Sequence, residues 1–202
     1  MKKLSTYLFL LLFSFSAPSF ADDISDFQIE GMSIGDSLLD YFSEEQIKNQ
    51  KQETQYPSSD KFIIYTFNNS QQNKSFDDFE IYDIITIDIM KNDKKYIIEA
   101  LSGALEFRDN IASCNEKKLE IEKEFSTLFK NAITTKGKIE KHLDKSGESL
   151  SFITEYLFPT KDVAQITCDD WSEKFASFPD VLMVNLMSKK YSIFLLNEAY
   201  KK

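Results

Sequence analysis

Histidine and cysteine are nearly absent from this chain: one His, at position 142, and two Cys, at 114 and 168, among 202 residues. A zinc site needs closely spaced His and Cys ligands, which these three residues do not supply. His142 stands in "KGKIEKHLDKS" among Lys138, Lys141 and Lys145. Neighbouring positive charge there suits a solvated face better than the base of a catalytic triad. The chain also lacks G-x-S-x-G, S-x-x-K and any glycine loop able to cradle phosphate. Asp77-Asp78-Phe79-Glu80 is without the glycine and spaced oxygens of a calcium loop and reads as solvated acid. No cofactor or metal is expected, and no residue can be named as catalytic.

Positive charge is short as well. The net charge is −9, which argues against nucleic acid and against adhesion to anionic lipid. The only apolar run of any length, residues 4–15, is too short to span a bilayer. Lys2 and Lys3 precede it, and small residues at Ser19 and Ala21 follow, before Asp22-Asp23. Residues 1–21 therefore read as a cleaved signal peptide, with no stable membrane anchor left after cleavage and a periplasmic or secreted product.

What remains, residues 22–202, is expected to be a single α+β domain, divisible into two helix-plus-strands halves at 22–107 and 108–202. Hydrophobic residues at 42% and charged residues at 28% are ordinary for a globular chain, which can build a core without metal. In an oxidising compartment Cys114 and Cys168 are expected to pair, a cross-link that stabilises by roughly 4 kcal/mol in the chain-entropy picture.

The order of elements follows from periodicity. Gly31 and Gly35 punctuate the opening stretch, Asp36 is placed to cap a helix carrying Leu38, Leu39 and Phe42, and Ser43-Glu44-Glu45-Gln46 is a capping box for a second short helix with Ile47. "KFIIYTF" then predicts a strand, and a polar loop, "NNSQQNKS", follows it. Alternation over residues 79–90 and 96–107 predicts a long hairpin with Gly103 as a bulge. From about Asn110, Ile111, Cys114, Ile121, Phe125, Leu128 and Ala132 share one helical face, opposite Glu116, Lys117, Glu120, Lys123 and Glu124. Ser113 to Glu116, or Asp109, would cap that helix, and Gly137 would close the helical region. "LSFITEYLF" and "VAQITC" read as strands joined across residues 159–162. The segment after them is irregular, with Trp171 and Phe175 covering a sheet edge. Residues 181–187 and 191–197 form a last hairpin turning at 188–190. The expectation is an antiparallel sheet of about seven strands with two short N-terminal helices and one longer central helix packed on it.

The stretch "IEGMSIGDSLLDYF" resembles the opening motif of the SmpA/OmlA-type outer-membrane assembly lipoproteins and of exported domains with the β-lactamase-inhibitor-protein-like fold, and is more similar still to uncharacterised exported proteins of marine alphaproteobacteria. The resemblance covers residues 29–47 and implies a helix-loop-helix unit ahead of antiparallel strands. The lipoproteins carry a lipidated Cys after the signal, where this chain has Asp22, and Ser43-Glu44-Glu45 replaces their Gly-x-Pro. No functional residue is implied by it.

Function is accordingly read as non-catalytic: an exported protein whose sheet presents a face to a protein or peptide partner. Two alternatives stay open, a carrier of a small apolar ligand between helix and sheet, and a hydrolase with dispersed carboxylates. Tyr56, Tyr65 and Tyr82 are candidates for a recognition surface. Asp83 interrupts an apolar face, and the break in alternation at Ile84-Ile85 places it in solvent.

Overall fold

The computed structural model describes residues 23–52, 56–68, 79–108, 110–142, 146–174 and 178–201. The signal segment, "SQQNKS", Asp77, Asp78, Asp109 and Phe175 lie outside them. Seven strands make one antiparallel sheet: β1 (Phe62–Asn68), β2 (Ile84–Met90), β3 (Ile98–Glu106), β4 (Ile133–Lys141), β5 (Leu150–Leu157), β6 (Val163–Asp170) and β7 (Val181–Met187). Their spatial order is β1-β2-β3-β7-β6-β5-β4. Each half of the chain is thus a meander, and the two join where β3 pairs antiparallel with β7. The α+β class with an antiparallel sheet is as the alternation implies.

Short helices precede the first meander. A 3-10 turn over Leu38–Asp40 is capped by Ser37, not Asp36; Asp36 instead receives the Ser33 N–H at 2.9 Å and the Tyr41 hydroxyl at 2.6 Å, closing the glycine-flanked turn. Helix α1 (Glu44–Asn49) begins with both halves of the Ser43–Gln46 capping box. Ile24, Ile29, Met32, Leu38 and Ile47 are all buried, so this segment roofs one sheet face with small apolar contacts.

Helix α2 (Ile111–Leu128) lies over the same face, on β6 and β7. The Asn110 side chain caps it by accepting from Ser113 N. Cys114, in its first turn, bonds Cys168 of β6, with Cα atoms 6.0 Å apart across 54 positions of chain. Phe125 and Phe129 meet Tyr156 and Phe27 edge-on, filling the space between helix and sheet. Lys118 and Glu122 are buried too, because they pair with each other and with the Thr154 hydroxyl of β5. Burial pushes the Glu122 carboxyl up, yet Lys118, Thr154 and Lys136 together hold it below the usual range. A helical face marked only by apolar residues misses such a pair.

Three expectations need correction. The last hairpin does not exist: residues 189–194 form helix α3 (Lys189–Phe194), continued by a π-helical turn, Leu195–Ala199. Ser188 caps it, accepting from Tyr191 N, and Tyr191, Phe194 and Ala199 bury themselves at helical spacing. Gly137 does not end α2, which stops at Leu128; it sits inside β4 at φ +73°, where the pairing with β5 shifts register. All nine residues of β4 are exposed, so no buried face writes alternation into its sequence. Gly103 is not a bulge either; it pairs in register with Ile85 and Val184, and the irregularity falls between Asp88 and Ile89. Glycine is required at 103 because the Tyr82 ring lies on the backbone, 2.6 Å from where a Cβ would stand. Asp83 is exposed, its carboxylate receiving the Glu106 N–H at 3.0 Å.

Two outcomes follow. Gly103→Ala should lose about 2 kcal/mol in urea denaturation by forcing Tyr82 off the sheet; a silent substitution would mean the ring does not rest there. Replacing Cys114 and Cys168 together with Ala should lower the same unfolding free energy by roughly 4 kcal/mol.

Candidate functional site on the sheet face opposite α2

Side chains on adjacent strand residues point to opposite faces, so the register assigns every residue to the α2 side or the other. Cys168, Ile166, Leu186, Val184, Ile87 and Leu101 go to the α2 side and are buried. On the other side, one line of cross-strand neighbours traverses the whole sheet: Thr66, Thr86, Ser102, Asn185, Gln165, Glu155 and Thr135. Every member carries a hydrogen-bonding side chain, and only Glu155 is charged. The Gln165 amide donates to Glu155 at 2.8 Å. Thr66, Thr86, Ser102 and Asn185 are half-buried, and their side chains hold no hydrogen bond to another described residue. Beside the row, Thr167 Oγ1 is buried without a partner among the described residues. Such an orphan is uncommon, since buried polar atoms are normally bonded.

The row runs between two largely apolar ribs. One is Ile64, Asp88, Ala100, Met187, Val163, Leu157 and Ile133; the other is Asn68, Ile84, Ala104, Met183, Thr167, Ile153 and Lys138. Among the described residues, α3 and its π turn cover part of the first rib, where Tyr191, Phe194 and Ala199 pack on Phe62, Ala100, Val163 and Met187.

Asp88 is the one acid in that rib and is buried beneath α3. The Tyr56 hydroxyl donates to it at 2.7 Å, Tyr191 also bonds it, and the two tyrosine hydroxyls touch each other. Burial outweighs both donors and pushes the Asp88 carboxyl up to about 7. Both phenols are pushed up, chiefly by burial and then by the Asp88 charge.

At the far end of the same face, Ser151 and Asp169 are cross-strand neighbours on β5 and β6. The Ser151 hydroxyl donates to Asp169 and lies 2.7 Å from His142 Nε2, and that same ring nitrogen is 3.4 Å from Asp169. Trp171 stacks on the imidazole at 4.2 Å. The residue types are those of a nucleophilic triad, but the arrangement is a triangle on one ring nitrogen. A relay needs the acid on Nδ1, leaving Nε2 to take the serine proton; here the serine hydrogen is already committed to Asp169. The cluster ties the end of β4 to β5 and β6. Burial pushes the Asp169 carboxyl up.

Cys114 and Cys168 are brought together as expected, on the covered side. His142 is not on a solvated face. Tyr65 and Tyr82 are buried in the core and Tyr56 serves Asp88, so none of the three lines a recognition surface. Asp88 was hidden because strand alternation assigns it to the polar side, and only the position of α3 reveals that this side is covered there. Among the described residues no group of three or more His, Cys, Asp and Glu could hold a metal ion.

Between the ordinary carboxylate value and about 7, the folded chain keeps a proton on Asp88 that the unfolded chain has released. Stability therefore falls as pH rises through that window, and levels off above it. Thermal melts of the wild type should show this decline from about pH 4 to pH 7, and Asp88→Asn should flatten it, leaving a smaller slope of the same sign from Asp169. Parallel profiles would remove Asp88 from the account. No family model, no curated protein and no solved structure matches the chain.

Proposed function

We propose that this chain is an exported, non-catalytic periplasmic protein that holds a protein or peptide partner on the sheet face opposite α2. One observation carries the reading: four polar side chains, Thr66, Thr86, Ser102 and Asn185, stand in register on adjacent strands without partners among the described residues. Four such strands present donors and acceptors at intervals of about 4.8 Å, framed by apolar ribs. That combination of a polar line and apolar flanks suits a surface that exchanges water for another chain's polar groups. The cystine favours an oxidising compartment and so supports export. The likeness of residues 29–47 to other exported domains points the same way.

The two alternatives draw less support. A carrier needs space between helix and sheet, where Phe125, Phe129 and Tyr156 are packed against one another. A carboxylate hydrolase needs two acids converging. Asp88 and Asp169, both buried on this face, stand on β2 and β6 with β3 and β7 between them, about 14 Å apart by strand spacing alone, and the buried Glu99 is held by Ser188 and Lys190.

A photo-crosslinking residue at Asn185, introduced in the producing cell, should yield adducts of discrete mass from the native envelope. The same residue at Leu119, which is exposed on α2, should yield far fewer. Equal yields from both positions, or none from Asn185, would count against the face as a binding surface.

A further inference from the structure

Helix α3 and its π turn are laid on the sheet as a cover, and the group beneath them is an acid. Tyr191, Phe194 and Ala199 rest on Phe62, Ala100, Val163 and Met187. Under that cover three polar groups meet pairwise: the Tyr56 hydroxyl donates to Asp88 at 2.7 Å, the Tyr191 hydroxyl bonds Asp88, and the two hydroxyls bond each other. Three contacts need three hydrogens. The phenols supply two, and the third sits on the carboxyl, which closes a ring: Tyr56 donates to Asp88, Asp88 to Tyr191, and Tyr191 to Tyr56. An ionised Asp88 can only accept. One contact is then left without a hydrogen, and a charge lies on a residue only 5% exposed.

Among the described residues no cation pairs with Asp88. The charged groups of the surrounding elements are engaged elsewhere: Lys190 with Glu99, which the Ser188 hydroxyl also bonds, Lys61 with Glu198, and Lys91 with Asp60. Asp162 accepts from Lys189 N, and the Tyr200 phenol also feels the Asp88 charge. The two ends of α3 are held unequally. At the start, Ser188 N donates to Glu99 O at 2.8 Å and Lys189 N to Asp162 at 2.6 Å, which ties residues 188–190 to β3 and to the β5–β6 turn. At the far end, Ser58 N donates to Ala199 O at 3.2 Å, Ser58 Oγ to Lys201 O, and Lys61 meets Glu198 in a half-exposed pair of the kind that contributes little in water.

We propose that α3 and its π turn are a lid on the partner-binding face, hinged at residues 188–190, latched while Asp88 is protonated and lifted when it ionises. Lifting it breaks no strand pairing, since β7 stops at Met187. It uncovers Ala100, Met187 and Val163, each two residues from Ser102, Asn185 and Gln165 of the polar row on the same strands. The row then gains its apolar flank and an anionic Asp88 at the border. Because burial pushes the Asp88 carboxyl up to about 7, the open fraction grows as pH rises from the ordinary carboxylate value to about 7 and levels off above it. Acid closes the lid and holds the partner off; neutral and higher pH admits it. The role of the lid rests on reading this face as the partner's, whereas its movement belongs to the protein alone.

The test is hydrogen exchange, read by mass spectrometry on the protein as its cell makes it, comparing amides of residues 191–199 with those of β6 from about pH 5 to about pH 8 after correction for intrinsic exchange rates. The lid should open by itself, so its protection should lie below that of β6. It should fall about 50-fold between about pH 5 and about pH 7 and then level off. Asp88→Asn keeps a neutral acceptor and donor in the ring and should hold the protection of residues 191–199 nearly constant. Equal protection of the lid and β6 at every pH would overturn the proposal, since α3 would then open only with the whole fold. A wild-type lid indifferent to pH, or a pH dependence that survives Asp88→Asn, would do the same. If that variant does not fold, the wild-type comparison decides alone. No partner is present in this measurement, so a lid that stays shut and a failed crosslink at Asn185 are separate results. Where Asn185 does crosslink, the yield should rise with the open fraction in the wild type and not in Asp88→Asn; a yield unchanged by pH would overturn the gating.

Discussion

The pairing of β3 with β7 is the constraint on which the other features rest. Each meander alone is a small sheet with a free edge, and joining them at Ala100 to Glu106 against Val181 to Met187 makes a single surface of seven strands. Because the side-chain period is two, that one register decides which residues meet α2 and which do not. A slip of one residue would carry Leu182, Val184 and Leu186 to the opposite side and their polar neighbour Asn185 into the core. Burial of those three leucine and valine side chains against α2 holds the register, and the Cys114–Cys168 bond fixes the helix over it.

Once the register is set, two very different ways of using polar residues appear on the two faces. On the covered face, Lys118, Glu122 and Thr154 satisfy one another completely, which is what makes their burial tolerable. Removing Lys118 or Glu122 alone would leave the other charge buried without its main partner. On the other face, Thr66, Thr86, Ser102 and Asn185 have no side-chain partner among the described residues, and Thr167 is buried without one among them. Asp88 belongs to neither group. It is bonded by two tyrosines, yet burial still favours its protonated form, so its neutrality depends on how firmly α3 is seated.

The fold was largely legible because its strongest signals are local. The capping box at Ser43, the alternation in β1, β2 and β5, and the long apolar stripe of α2 each encode one element within a short window. The misreadings have physical causes. β4 is exposed along its whole length, so the sequence "ITTKGKIEK" carries no core-facing pattern. In "SKKYSIFLLN" the run of apolar residues fits a strand or a helix alike, and the Ser188 cap decides for the helix only when Tyr191 N is seen to bond it. The candidate site was illegible for a deeper reason. Its row takes one residue from each of seven strands, and nothing in any single strand marks that residue; the row exists only when all six registers are known. The cluster of His142, Ser151 and Asp169 likewise joins residues from three strands or their ends.

Everything therefore turns on the register, which cross-strand backbone contacts measured by nuclear Overhauser effects would read most directly. The account predicts an unbroken series of facing residues, Thr66 with Thr86, Thr86 with Ser102, Ser102 with Asn185, and Asn185 with Gln165. Ser102 facing Val184 or Leu186 instead would break the polar row, turn the apolar residues of β7 outward, and contradict the account at its base.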